Sequence, residues 1–113
     1  MAPTQEIDIN LLIGLPLAAA ELIETTGLEV VQEINTYGSL VVTKDQNRIV
    51  FNNEFDWDDE EEDAVLSGVS TERYRKNNKG EWKMIDQSQH WTLSPENIDR
   101  IAQEKLCTLL LLD

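Results

Sequence analysis

Sulfur and imidazole are almost missing from this chain: Cys107 is the only cysteine and His90 the only histidine among 113 residues. A lone cysteine allows no internal disulfide, which excludes the stapled scaffolds of small secreted domains and fits a reducing, cytoplasmic setting. One of each leaves no Cys/His set for zinc. A nucleophile and base could only be Cys107 with His90. Cys107 lies in a Leu-rich stretch where a small buried hydrophobe is expected, and His90 reads as a half-exposed sheet residue. None of the five glycines falls in a phosphate-cradling or dinucleotide pattern. The expectation is a non-enzymatic protein without cofactor.

Long apolar runs are missing too. The longest fall well short of the ~20 residues that span a bilayer, so no transmembrane helix is expected. Leu11 to Ala20 has the look of a signal-peptide core, but Glu6 and Asp8 precede it and no Lys or Arg occurs before Lys44. It reads as part of the fold.

Positive charge is scarce, with 9 Lys and Arg against 22 Asp and Glu and a net charge of −13. Residues 1–63 hold 2 basic and 15 acidic side chains, and the remainder holds 7 of each. Such a surface repels phosphate backbones and anionic lipid, which argues against direct nucleic-acid binding and membrane docking. Its complement is a basic protein surface. With 41% hydrophobic and 27% charged residues, the chain has the make-up of one globular domain over 1–113.

What is present can be placed on elements. Ile7, Ile9, Leu11 and Ile13 alternate with other residues, as in an edge strand or extended arm, although a helix from Asn10 also fits. "PLAAAELIETT" predicts helix 1 over Pro16 to Thr26, with Gly27 as a left-handed C-cap. Three antiparallel strands follow, "LEVVQEINTY", "SLVVTK" and "RIVFNNEFDW". In the third, Ile49, Phe51, Phe55 and Trp57 share one parity and should be buried, while Arg48, Asn52, Glu54 and Asp56 share the other. "TERYRKN" and "EWKMIDQSQHWTL" are strands joined at "NKGE". A bulge near Asp86 to Ser88 would bring Trp82 and Met84 onto the same face as Trp91 and Leu93. Ser94 caps helix 2, Pro95 to Leu110, whose core stripe is Ile98, Ile101, Ala102, Leu106 and Leu109. The fold class is α+β: an antiparallel sheet of about five strands, with an N-terminal sixth if the opening segment joins it. An N-terminal and a C-terminal helix pack on one face. The Gly-x-Trp-x-apolar pattern at Gly80 to Met84 is similar to closing hairpins of cystatin-like and NTF2-like folds, which implies a curved sheet of that kind as the alternative.

The densest feature is "EFDWDDEEED", eight carboxylates in ten positions, read as an acidic loop over 58–68 inside the domain. It fails as an EF-hand: with Asp56, Asp58 and Glu60 at positions 1, 3 and 5, Glu61 stands where Gly is needed and Ser67 where the bidentate Glu belongs. No metal site is assigned. The candidate partner-binding residues are Glu54, Asp56, Trp57, Asp58, Asp59, Glu60, Glu61, Glu62 and Asp63, in a small regulatory or inhibitory domain that meets a basic protein. A nucleic-acid mimic would need the acids spread over a face, extended by Asp8, Glu21, Glu24, Glu29 and Glu33.

The hairpin around Arg73, Arg75, Lys76, Lys79 and Lys83 is expected to lie near the acidic run and neutralise part of it. The tail Leu109, Leu110, Leu111 and Leu112 is either enclosed by the fold or a homodimer seam. A second function class is a ligand-binding or enzymatic pocket between curved sheet and helix, lined by His90, Trp91 and Tyr74.

Overall fold

The computed structural model describes residues 7–111. Its elements are a 3-10 turn (Ile9–Leu11), α1 (Gly14–Thr26), β1 (Val31–Ile34), β2 (Leu40–Lys44), β3 (Asn47–Asp58), β4 (Asp63–Lys76), β5 (Trp82–His90) and α2 (Pro95–Leu111). The five strands form one antiparallel sheet in the order β1-β2-β3-β4-β5, a meander in which each strand pairs with its sequence neighbour. This is the expected α+β arrangement.

Both helices cover the same face. α1 buries Leu15, Pro16, Ala19, Ala20 and Ile23; α2 contributes Ile98, Ile101, Ala102, Leu106 and Leu109, and the sheet contributes Leu40, Val42, Ile49, Phe51 and Val69. The apolar stripe legible in α2 is thus the one that packs. Gly27 ends α1 at φ 70°, its N–H donating to the Ile23 carbonyl at 2.9 Å while Leu28 N–H reaches the same carbonyl at 3.3 Å. Only glycine takes that left-handed conformation without steric cost.

The opening segment differs from its expectation. Alternation at Ile7 to Ile13 makes no strand, because the Asp8 carboxylate accepts from Asn10 N–H and closes a 3-10 turn. α1 then starts two residues before Pro16. Asn53 of β3 replaces a local cap: its Oδ1 accepts from Leu15 N–H at 3.2 Å and its Nδ2 donates to the Ile13 carbonyl at 2.9 Å. One amide therefore ties the start of α1 to the sheet.

The sheet outruns its cover. β2 ends at Leu40, opposite Phe51, and β5 ends at His90, opposite Val69. Beyond those levels β3 and β4 continue alone as a two-stranded arm, Phe55 opposite Leu66, Trp57 opposite Ala64 and Asp58 opposite Asp63. Ser67 is the extra residue of a bulge at its base, and its hydroxyl donates to the Glu54 carbonyl. The acidic loop expected over 58–68 is correspondingly narrower, with only 59–62 turning. Phe55 and Trp57, expected in the core, are 50% and 64% exposed. Their parity matches Phe51, but no helix lies over them.

β5 also bulges, at Ile85: Asp86 is opposite Arg73 and Met84 opposite Tyr74. The bulge brings Trp82 and Met84 onto the face shared by Gln87 and Gln89. That face is the open one, so these side chains do not enter the core.

Candidate functional site

Three regions gather candidate functional side chains: the acidic arm, the basic end of the same strands, and the open face of the sheet between them.

The arm places carboxylates on ordered backbone. Asp56 and Asp58 alternate with Phe55 and Trp57 along β3, so one side of the ribbon is acidic and the other aromatic. At the tip, Asp58 Oδ1 accepts from Glu60 N–H at 2.9 Å and from Glu61 N–H at 3.4 Å, which pins the turn from within. Glu62 stands at φ 53°, a left-handed conformation that costs a non-glycine residue about 1–2 kcal/mol. At its base, Glu54 accepts from Gln89 Nε2 at 3.2 Å. Among the described residues, no ion pair reaches Glu60, Glu61 or Glu62.

The basic hairpin lies at the far end, not beside the acids as expected. Asn47 is opposite Arg75 at one end of β3, and Asp58 is opposite Asp63 at the other. Arg48 and Asp58 are ten residues apart on one strand, about 33 Å at about 3.3 Å per residue. That is several times the ~8 Å screening length at physiological salt, so neither cluster cancels the other. The basic end is partly satisfied internally. Arg48 lies over the Trp82 ring at 4.1 Å and Lys76 at 5.5 Å, Arg48 Nε donates to Thr43 Oγ1 at 2.9 Å, and Arg73 pairs with Asp86 at 3.8 Å.

The open face forms a groove of about 640 Å³ whose lining includes Val41, Val50, Arg48, Glu72, Tyr74 and Trp82. Glu72 is its polar centre. It accepts from Asn52 Nδ2 at 3.2 Å and from the Tyr74 hydroxyl, while Asn52 Oδ1 accepts from Ser39. The hydrogen bond to Glu72 pushes the Tyr74 pKa up to about 12, with burial and the carboxylate charge acting in the same direction. Asn52, Glu72 and Ser39 were not singled out from the sequence. The only signal for Asn52 is the polar parity of β3, which does not say that it meets Ser39 before β2 and Glu72 on β4.

The pocket expected from His90, Trp91 and Tyr74 does not assemble. Tyr74 lines the open-face groove, but His90 pairs with buried Val69 and so sits on the helix-covered face. Trp91 lies past the end of β5 against Gly68, where an added Cβ would come within 3.2 Å of its ring. Cys107, expected to be buried, is exposed. Leu109 belongs to the core, which removes it from any dimer seam; Leu112 and the side chains of Leu110 and Leu111 lie outside the described residues. Glu29 and Glu33 precede or occupy β1, which β2 separates from β3, so they do not extend the acidic surface. Among the described residues, no three His, Cys, Asp or Glu side chains converge as metal ligands, and no helix is long and apolar enough to cross a membrane.

Comparison of the chain with protein-family models, curated proteins and solved structures finds no match in any of the three. The likeness of Gly80 to Met84 to cystatin-like and NTF2-like hairpins therefore rests on that short pattern alone.

Proposed function

We propose that this chain is a small binding domain that docks a basic protein partner on the acidic arm, Glu54 to Asp63, and acts by occupying that partner rather than by catalysis. One observation carries the reading: the arm holds Glu54, Asp56, Asp58 and Asp63 on paired strands with the turn between them pinned by Asp58, and its tip at Asp58 stands about 33 Å from Arg48 at the cationic end. Ordered, uncompensated acids steer a basic surface at an enhanced on-rate and lose less entropy on binding than a floppy tail. An inhibitory role follows if the partner's basic surface normally holds nucleic acid. The acids are concentrated on the arm rather than spread over a face, which favours contact with a localised basic site over broad mimicry of a duplex. The exposed single thiol fits a reducing, cytoplasmic setting.

The test is capture from native extract at low and high salt, using the wild type and a variant with residues 58–63 changed to Asn and Gln. A partner held at low salt, released at high salt and absent from the variant is the expected result. An identical set of bound proteins on both baits rejects the reading.

A further inference from the structure

The hydrogen bonds on the floor of the open-face groove run toward one carboxylate. Ser39 donates to Asn52 Oδ1, Asn52 Nδ2 donates to Glu72 at 3.2 Å, and the Tyr74 hydroxyl donates to the other Glu72 oxygen. Both hydroxyl protons are spent in this chain, whereas an ionised carboxylate has about four acceptor sites and Glu72 has two of them filled. The centre of the groove therefore holds spare acceptors, fixed in place in advance, beside apolar Val41 and Val50. Charge points the same way. Glu54 and Glu72 line the groove with one cation, Arg48, which Thr43 and the Trp82 ring already engage. A carboxylate or phosphate ligand would face two like charges. The groove also adjoins the acidic side of the arm. Because the bulge at Ser67 falls on β4, parity along β3 is unbroken, and Val50, Asn52, Glu54, Asp56 and Asp58 share one side.

The geometry points to the groove as a receptor for a primary ammonium group on an apolar stem, which the basic partner supplies as a lysine side chain. The ammonium meets Glu72, and the stem lies on Val41 and Val50. The inference rests on the proposed basic partner and names the face along which that partner lies, the Asp56 and Asp58 side of the arm. An ammonium carries three donors and requires no fixed fork, which suits a carboxylate whose two oxygens each accept one bond already.

Amide NMR at neutral pH and constant physiological ionic strength tests it, with n-butylammonium and its neutral isostere n-butanol as probes. Saturable shifts around Val50, Asn52 and Glu72 are expected, with butylammonium bound about tenfold or more tightly than butanol. Glu72→Gln should bring the two probes within about twofold of each other, with the amide spectrum away from the groove unchanged. Tyr74→Phe disturbs the same network but frees an acceptor site on Glu72, so it should keep the preference. So should the variant neutralised at 58–63, because Asp58 stands eight residues beyond Val50, the residue opposite Glu72, or about 26 Å away and well past the screening length. No saturable shift, equal affinity for the two probes, a preference that survives Glu72→Gln, or one that the 58–63 variant abolishes overturns the site. Each of these leaves the acidic arm to its own capture test. Nα-acetyl-lysine amide separates a partner's side chain from a free amine. Shifts at the same amides with comparable affinity support the lysine, and their absence overturns that assignment.

Discussion

The two ends of β3 and β4 are built from the same pair of strands yet treat charge in opposite ways. At the Asn47 and Arg75 end, cations are absorbed: Arg48 and Lys76 lie over Trp82, and Arg73 meets Asp86. At the Asp58 and Asp63 end, the hydrogen bonds of these acids among the described residues go to the arm's own backbone, Asp58 accepting from Glu60 and Glu61 N–H and Asp63 from Ala64 N–H. A cation can spread its charge over an indole face, whereas a carboxylate needs a donor, and the arm offers it little besides its own backbone and water. The end with unspent charge is where a partner has most to gain.

The contrast can be broken at its midpoint first. Phe51 is fully buried between the two ends, paired with Leu40 on one side and Thr71 on the other. Phe51→Ala should cost about 3–5 kcal/mol in urea unfolding and loosen both ends together. Next is the tie between arm base and helix: Asn53→Ala removes both hydrogen bonds to the start of α1 and should cost about 1–2 kcal/mol by the same measurement. An unchanged midpoint would mean that water caps α1 equally well.

A titration probes the groove between the ends. Because folding raises the Tyr74 pKa to about 12, the native state holds that proton more tightly than the unfolded chain does. The contribution to stability is fully present below pH ~10 and is lost as the pH climbs through the folded value. Ultraviolet absorbance should show one late-titrating tyrosine in the wild type, and Glu72→Gln should return it toward pH ~10. The smallest effect belongs to the arm itself. Neutralising residues 59–62 should move the unfolding free energy by no more than about 0.5 kcal/mol at physiological salt, with a slight gain at low salt as repulsion is relieved. A large loss of stability would show that these acids hold the fold together, not a partner.

Local periodicity carried much of the fold. The apolar stripe of α2, the Gly27 cap and the antiparallel strands were legible because each depends on neighbours a few residues apart. The turn at "NKGE" was legible in the same way: Asn77 Oδ1 accepts two backbone N–H groups, with Gly80 at positive φ three residues on. The first hairpin turn was not, since the strand expected to run through Tyr37 stops at Ile34, where Asn35 Oδ1 accepts from Tyr37 and Ser39 N–H and Gly38 takes positive φ. Phe55 and Trp57 were misread as core for the opposite reason: strand parity says which face a side chain takes but not how far the covering helices extend. Cys107 failed similarly, since a Leu-rich helix buries one stripe only.

The sequence by itself determined which residues form helices and strands, and that the acidity resides in its front half, since both follow from side-chain type and spacing along the chain. Where that acidity stands relative to the cations is a long-range matter. Only the meander's register decided it, by running β3 and β4 past their neighbours so that the acidic turn and the basic hairpin, which β4 joins, end a full strand apart.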